Sequence, residues 1–306
     1  MIDTLRTRVQ EIASDVGSLA IVSADFLARR VAPVSALRAL ESFAVRSSSG
    51  QSLWQQTLES AKLRIIARRR DRCAKPYLSG TGLEIGALHA PLQVPSEVRV
   101  LYVDRATRQE AIKTFPTLDA AKIVEPDFVE NGFELPSIGG ATQAFVIACH
   151  VLEHASNPIQ TLENWRRVLR PGGILFVIVP IADLCFDRGR PLTTAAHMVE
   201  DYETFRREGD AALSERNLPH YLEWAMVSTP KITGCPVPSQ VEAEKRAKEM
   251  AERREEIHFH TFSVESFREL LRLFASRSNT PSAVVEVTKL GGEVLGVVRK
   301  NGAAQP

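Results

Sequence analysis

The sequence has 306 residues, enough for one large domain or two small ones with a substantial core. Its 38 lysines and arginines balance its 37 aspartates and glutamates, so no global field attracts nucleic acid or an anionic membrane surface. The four cysteines are scattered without a C-x-x-C pair, which favours reduced thiols over a disulfide framework. The most apolar early stretch, 17–37, is interrupted by charges and a proline, so it matches neither a spanning helix nor a signal peptide. We therefore expect a soluble, cytoplasmic protein with no nucleic-acid or membrane partner.

Residues 1–77 are predicted to form an N-terminal helical region. Apolar residues recur every three to four positions from Ile2 to Val16 and again from Trp54 to Ile65. The second of these helices ends in a run of lysines and arginines, which we interpret as a solvated helix end and not as a nucleic-acid contact. A homodimer formed through these helices is a hypothesis.

From Gly82 onward, short apolar runs alternate with helical patterns, which is typical of βαβ units in a parallel sheet. The predicted strands are Leu83–Ile85, Val98–Val103, Lys122–Val124, Ala144–Ala148, Gly173–Val179, Ala283–Thr288 and Glu293–Val298. The predicted helices are Thr107–Phe115, Asn157–Leu169 and Val264–Phe274, and the predicted turn into the fifth strand is Arg170–Gly173. Gly291 and Gly292 indicate a closing hairpin, so one strand of the sheet is expected to be antiparallel.

Residues 181–262 interrupt this alternation with five prolines and a charged run, Val241–Glu256, that reads as a solvated helix. A further helix is predicted over Thr194–Arg207. We interpret 181–262 as an inserted lid above the strand ends. The flanking segments, 78–180 and 263–306, then form one α/β domain.

Polar residues end four consecutive predicted strands: Glu84 with Gly86, Asp104, Asp127 with Phe128, and Cys149 with His150. Open α/β sheets bind ligands at this edge, where the carboxyl ends of the strands meet. Gly86 permits a ligand to approach the backbone, Glu84 suits an ammonium group, and an acid at the place of Asp104 usually binds ribose hydroxyls. Asp127 could accept from an exocyclic amine while Phe128 stacks on a base.

A dinucleotide is the first alternative, and the turn after the first strand argues against it. The dinucleotide fingerprint needs a helix to start at this turn, because the pyrophosphate binds at the helix N-terminus. Pro91 and Pro95 leave only a short irregular crossover, and no second or third glycine follows Gly86 at the required spacing. A ligand with a ribose and a charged end but no phosphate fits better, and S-adenosylmethionine is such a ligand.

Residues 80–180 resemble a class I S-adenosylmethionine-dependent methyltransferase. The matching motifs are Leu83–Gly86, Tyr102–Arg105, Phe145–His154 and Trp165–Gly173. The resemblance implies an α/β, Rossmann-like, seven-stranded and mostly parallel sheet with an antiparallel last strand, and S-adenosyl-L-methionine as the cofactor.

The same resemblance assigns roles to the strand ends. It implies that Glu84 and Gly86 hold the methionine end, Asp104 the ribose, and Asp127 with Phe128 the adenine. The remaining residues of the expected cofactor site are Ala87, Arg105, Cys149 and His150. Two departures from the family pattern are Leu88 and Ala90 in place of glycines, and Gln143 and Ala144 in place of an acid before the fourth strand.

Four histidines are candidates for a role at the reacting centre: His150, His154, His258 and His260. The segment from His150 to His154 also matches the H-x-x-E-H zinc-protease pattern, but it follows a buried strand directly instead of lying within a helix. For His154, packing against the following turn is the structural alternative.

His258 and His260 alternate along Ile257–Phe262, so both imidazoles are expected to face one way, near where the lid meets the crevice. One of them could be a general base, and a hydrogen-bonded pair is an equally good interpretation. An H-x-H pair could also bind a metal, but no partnering carboxylate is evident in the sequence, so no metal is expected. His197, beside Asp201 and Tyr202, is a weaker candidate.

The predicted function is S-adenosylmethionine-dependent methyl transfer to a small-molecule or glycan acceptor, on oxygen, by in-line transfer with histidine assistance. A non-catalytic scaffold or assembly module is one alternative, and it would require Leu88 and His89 to fill the crevice. A nicotinamide-dependent oxidoreductase is the other.

Overall fold

The structure is a computed structural model that describes residues 66–277 and 282–302. The chain divides into two compact units, 1–72 and 73–306, so the boundary lies a few residues before the predicted one. Residues 66–74 are helical, as predicted for the end of the N-terminal region. The other predicted N-terminal helices, and with them the hypothetical dimer surface, lie outside the described residues.

The second unit is built on a β-sheet whose strands are β1 (Thr81–Ile85), β2 (Arg99–Asp104), β3 (Phe128–Val129), β4 (Gln143–Cys149), β5 (Leu169–Pro180), β6 (Ser282–Leu290) and β7 (Glu293–Lys300). Among the described residues, seven strands pair in the order β3-β2-β1-β4-β5-β7-β6. The pairs from β3 through β5 are parallel, and β7 is antiparallel to both β5 and β6. The predicted Rossmann-like sheet with an antiparallel last strand is confirmed.

Helices connect and cover the strands. The α-helices of this unit are α1 (Arg108–Thr114), α2 (Pro158–Val168), α3 (Ala195–Glu208), α4 (Asp210–Arg216), α5 (Leu218–Glu223), α6 (Thr229–Thr233), α7 (Gln240–Glu252) and α8 (Val264–Arg277). Short 3₁₀ helices lie at Ala120–Lys122, Leu152–His154 and Ala182–Leu184, and a π-helix lies at Trp224–Ser228. Within the described ranges, every helix is too short or too polar to cross a bilayer.

Helix α2 shows how the sequence determines its own ends and packing. The Asn157 side chain caps the helix by accepting a hydrogen bond from the Gln160 backbone, and Pro158 occupies the first turn, where its missing N–H costs nothing. Its apolar face is buried against the sheet, as the spacing predicted. Trp165 on that face donates from Nε1 to the carbonyl of Gly132 at 2.7 Å, so the helix also fixes the loop after β3.

The core lies on both faces of the sheet, because successive strand residues point to opposite sides. On one face, Val146 and Val177 pack with helices α2 and α8. On the other face, Phe145 and Phe176 pack with the segment that precedes β2. Both faces are covered, which is why the central strands are apolar throughout.

Two sequence predictions about the sheet are wrong. Lys122–Val124 is not a strand: a 3₁₀ turn ends at Lys122, and Ile123 is buried as an isolated anchor, while the strand forms later, at β3. The predicted turn over Arg170–Gly173 is part of β5, where it forms a bulge opposite the start of β4. Gly172, with φ of +80°, accommodates that bulge.

Residues 195–252 form the helices predicted for the lid, with α3 in place of Thr194–Arg207 and α7 within the charged run. Ala243 and Ala247 bury one face of α7, so the charged run is solvated on its other faces only. Tyr221 of α5 packs with Ala247 and Phe259 in a small separate core. That this region is an insertion stays a prediction.

Candidate active site

A cleft of about 670 Å³ opens at the edge of the sheet where the parallel strands end. Its floor is formed by residues at or just after β1, β2, β3 and β4, and its opposite wall comes from the lid, through Asn217, Tyr221, Arg254 and Phe259. The cleft therefore lies where open α/β sheets bind their ligands.

The turn after β1 leaves the cleft open. Gly86 has φ of +65°, and a Cβ atom there would lie 3.1 Å from Val151 Cγ2, so a side chain would be strained and crowded. Leu88 also has a positive φ, 47°, which explains why a glycine is usual at this place in the family motif. Its side chain lines the cleft without filling it, and Ala87 and His89 are not part of the lining. The scaffold alternative required the opposite.

Glu84 has a structural position. Its side chain is buried, and Oε1 accepts a hydrogen bond from the backbone N–H of Leu92 at 2.9 Å. The carboxylate thus holds the irregular crossover that follows β1, and Glu84 is not among the residues that line the cleft. Any effect of Glu84 on a ligand is exerted through the shape of this loop.

The end of β2 presents Asp104 and Arg105 to the cleft. Asp104 Oδ1 is 3.4 Å from the Ala106 amide, a long contact that leaves the carboxylate available to a ligand. Arg105 forms an ion pair with Glu256, so it links the strand end to the lid at the mouth of the cleft. Burial of Glu256, together with the charge of Asp104, raises the pKa of that carboxyl, and Arg105 opposes the shift.

The predicted adenine residues occupy a different place from the one expected. Asp127 precedes β3, and its Oδ2 accepts from the backbone N–H of Tyr102 at 2.8 Å, in the middle of β2. Phe128 begins β3 and packs against the core. Neither residue lines the cleft, so their predicted position at a strand end is wrong.

Residues just after β3 line the cleft instead: Glu130, Asn131, Gly132 and Phe133. Glu130 Oε2 accepts from the Ser137 amide at 3.1 Å. Its other oxygen, Oε1, is buried without a hydrogen-bond partner among the described residues. A buried acceptor of this kind normally has a donor, which indicates that a ligand supplies it.

The end of β4 presents His150, which lines the cleft and has φ of +58°. Its Nε2 lies 2.7 Å from Glu293 Oε1, and its Nδ1 lies 3.9 Å from Glu153. The preceding residue, Cys149, faces the opposite side of the sheet and packs with the second core cluster. All four cysteines lie in the described part of the chain and are free thiols, as expected.

His154 is the second histidine of the cleft wall. Its Nδ1 is 3.0 Å from the carbonyl of Ile257, which can only accept, so Nδ1 carries the proton and Nε2 keeps a lone pair. Burial and the nearby charge of His258 lower the pKa of His154 to about 4, so the ring is neutral at pH 7.

His258 is buried behind the wall and does not line the cleft. Its Nδ1 lies 2.6 Å from Oδ2 of Asp187, and its ring meets that of His154 edge-on, with centroids 4.6 Å apart. Although burial acts in the opposite direction, the hydrogen bond and charge of His258 lower the pKa of Asp187 to about 2. Arg190, fully buried, donates to Asp187 at 2.9 Å and to the carbonyl of His258 at 2.8 Å.

His260 lies in a separate cluster. It is buried beside His197 and His220 of the lid, with ring centroids 6.0 Å and 5.3 Å away. The predicted common direction of His258 and His260 is wrong, because Ile257–Thr261 is not a strand and its side chains do not alternate between two faces.

A family model described as a methyltransferase domain matches residues 62–274, well over half of the sequence. The chain belongs to this family. The predicted resemblance to class I S-adenosylmethionine-dependent methyltransferases is confirmed, and so is S-adenosylmethionine as the cofactor. No curated protein matches the chain in sequence.

Solved methyltransferase structures are similar to this chain at low identity. A SAM-dependent methyltransferase from Aquifex aeolicus shares 13% identity and a TM-score of 0.36, over 73% of this chain and 82% of that chain. A SAM-dependent methyltransferase from Thermotoga maritima shares 13% identity and a TM-score of 0.38, over 82% and 99% of the two chains. The mitomycin 7-O-methyltransferase shares 14% identity and a TM-score of 0.40, over 85% and 60%.

Sequence reasoning missed three groups in this methyltransferase. Glu130 was overlooked because an apolar decoy placed the third strand too early. Asp187 and Arg190 had a visible signal, since an acid and a base three residues apart in an apolar setting often form a pair. His220 had none, because its partners come from other elements.

Proposed function

We propose that the cleft binds S-adenosylmethionine across the strand ends and directs its methyl group to an oxygen of a hydroxylated small molecule or glycan. The observation that carries the proposal is the common opening of Gly86, Asp104 and Glu130 into one cleft. These three residues follow three neighbouring strands, in the spatial order expected for a methionine end, a ribose and a base.

The residues fit this cofactor by their chemistry. Asp104 accepts from the ribose hydroxyls, as acids at this strand end do in nucleoside-binding folds. Glu130 Oε1, buried without a partner among the described residues, accepts from the exocyclic amine of adenine. Gly86 lets the backbone approach the methionine end, where a side chain would meet Val151. This arrangement replaces Asp127 and Phe128 as the predicted adenine contacts.

When bound, the cofactor supplies an electrophilic methyl group on a sulfonium. The chain's part is to orient the acceptor in line with that methyl, exclude water and remove a proton. His154 is suited to the last task, because its Nε2 keeps a lone pair while Nδ1 is held by Ile257. A hydroxyl acceptor needs such a base, which favours oxygen. Tyr221 and Arg254 line the lid side of the cleft, where polar groups suit a hydroxylated acceptor.

Calorimetry with S-adenosylhomocysteine tests the cofactor site. We expect wild-type binding, and an affinity reduced by about 10- to 150-fold in Asp104→Asn, since a hydrogen bond to a charged group contributes about 1.5–3 kcal/mol. Asp127→Asn is the matched control, because Asp127 lies outside the cleft and an amide oxygen can still accept from Tyr102. No heat with the wild-type protein contradicts the site, and equal affinities of the two variants contradict the ribose assignment.

The acceptor is tested with methyl-labelled S-adenosylmethionine and a panel of glycans, phenols and amines, with mass spectrometry of the products. His154→Gln should lower kcat by about 100-fold or more while leaving S-adenosylhomocysteine affinity unchanged. Preferential labelling of an amine, or a His154→Gln variant with wild-type kcat, would contradict the acceptor class or the base.

A further inference from the structure

We infer that the lid holds a divalent transition-metal ion, zinc by its ligand chemistry, between four side chains: His197, Asp201, His220 and His260. One ligand-capable atom from each residue lies within 4.8 Å of all the others. His197 Nε2 is 3.0 Å from His220 Nε2 and 3.1 Å from Asp201 Oδ2. In a tetrahedral zinc site with bonds of about 2.0–2.1 Å, neighbouring ligand atoms are about 3.3–3.4 Å apart, so these separations are close to those of a metal site.

The cluster leaves buried polar atoms without partners. His260 is 1% exposed, and neither of its ring nitrogens has a hydrogen bond of acceptable geometry among the described residues. The same holds for Nδ1 of His220 and for Oδ2 of Asp201, both buried. Buried polar atoms in native proteins are almost always satisfied, and a single ion at the centre would bind four side chains that satisfy one another poorly.

The charge states also suit a metal. Burial, followed by the charges of neighbouring histidines, lowers the pKa of His220 to about 3. Burial lowers the pKa of His260 to about 4, against the opposing effect of Asp201. Both rings are therefore neutral at pH 7, which is the form that coordinates a metal. Asp201 adds one carboxylate, which partly neutralises the ion.

Outer contacts hold the ligands in place, as they do around known metal sites. Asp201 Oδ1 accepts from Arg216 Nε at 3.0 Å, which directs Oδ2 toward the histidines. Arg216 is held in turn by Glu200 at 3.1 Å. The carbonyl of Ser156 is near the ring of His260 and favours a proton on the nitrogen that faces it, which leaves the other nitrogen for the ion.

The position of the cluster indicates a structural role. His197 and Asp201 are one turn apart on α3, His220 lies on α5, and His260 lies on the segment that bonds to the core through its amide and the Glu153 carbonyl at 3.2 Å. An ion there would join three separate parts of the chain. Four protein ligands leave no open position for a substrate, which is typical of structural zinc. Because α5 also carries Tyr221 to the cleft, the ion would fix one wall of the active site.

A second group of possible ligands, Glu153, His154 and His258, lies nearer the cleft and offers three donor atoms. One ring nitrogen of each of these histidines is already engaged, by Ile257 and Asp187 respectively. The four-residue cluster is the better site, because it supplies a complete tetrahedral set without any other ligand. The experiment separates the two locations.

The test measures metal content in the full-length protein without a histidine tag, by mass spectrometry of the elements after gel filtration. We expect about one zinc ion per chain, and after chelation a visible spectrum of four-coordinate Co²⁺ on cobalt addition. Asp201→Asn and His260→Gln should lose the ion. His89→Gln, outside both clusters, and Glu153→Gln, in the second one, should keep it. Circular dichroism checks that each variant is folded.

Thermal unfolding gives a readout that does not depend on activity. Zinc at about 100 times its Kd should raise the unfolding midpoint of the chelated wild type by roughly 5 °C or more, and should leave Asp201→Asn unchanged. If a variant fails to fold, the wild-type stoichiometry, cobalt spectrum and zinc-dependent midpoint decide alone. A wild-type protein that binds neither zinc nor cobalt overturns the inference, and so does a metal that is lost in Glu153→Gln and retained in Asp201→Asn.

Discussion

Asp187→Ala should destabilise the protein strongly, because Asp187 is the anion of a buried network. Its Oδ1 accepts from Arg190 at 2.9 Å and from Ser228 at 2.8 Å, and its Oδ2 lies 2.6 Å from His258 Nδ1. The Arg190 side chain is 0% exposed, so the substitution leaves a buried cation without its principal partner.

The expected cost follows from that cation. Removing one partner of a buried ion pair costs about 3–5 kcal/mol. Arg190 keeps the carbonyls of His258 and Phe259, at 2.8 Å and 3.4 Å, and Glu223 Oε2 at 3.4 Å, so we expect the lower end, about 3 kcal/mol. A loss of that size lowers the unfolding midpoint by roughly 6–12 °C in a protein of this size.

Urea unfolding followed by fluorescence and circular dichroism measures this loss. Asp183→Ala is the matched control, because Asp183 is an exposed acid four residues earlier and should change stability by less than about 0.5 kcal/mol. If Asp187→Ala and Asp183→Ala differ by less than about 1 kcal/mol, the argument from the buried cation fails.

The same network has a pH signature. The pKa of Asp187 is lowered from 3.8 to about 2 in the folded protein, which corresponds to roughly 2.4 kcal/mol of stability. Because the folded pKa is depressed, this contribution is complete above about pH 4 and is lost as the pH falls toward 2. The gap in unfolding free energy between wild type and Asp187→Asn should therefore narrow by about 2 kcal/mol from pH 5 to pH 2. A gap that stays constant over this range would contradict the assignment.

Two further substitutions test the packing that supports the cleft. Gly296→Ala should cost about 1–3 kcal/mol in urea unfolding, because a Cβ atom there would overlap Leu271 and lie 2.8 Å from Phe267 Cε1, whereas Gly302→Ala, with open space around it, should have no effect. Trp165→Phe should cost about 1 kcal/mol and weaken S-adenosylhomocysteine binding, since it frees the loop after β3 from its 2.7 Å hydrogen bond; unchanged affinity would show that this bond does not shape the cleft.

The fold was largely predictable because its central strands are buried on both faces. The runs around Val146 and Val177 are apolar whichever side they face, so they contrast with the polar turns on either side. Strand β3 escaped prediction because it has two residues and lies at the edge of the sheet, where nothing requires a long apolar run. Ile123, buried in a non-strand turn, supplied a false signal four residues too early.

The active site was predictable where its residues follow strong strands, as Gly86, Asp104 and His150 do. Direction could not be predicted, since Cys149 and His150 are adjacent in sequence and face different environments. The lid was the least accessible part. The spacing of His197 and Asp201 was visible on one helix, but only the folded chain brings His220 and His260 to them.

The direction of β7 has a consequence for how the site is completed during synthesis. Because β7 runs against its neighbour, its first residue, Glu293, lies opposite Pro180 at the same edge as the strand ends, and it reaches His150. Every residue that lines the cleft precedes Glu293 in the chain. A ribosome therefore delivers the acid that pairs with His150 after the whole cleft has been made. Until the final hairpin joins the sheet, a nascent chain carries a cofactor site whose histidine still lacks this carboxylate.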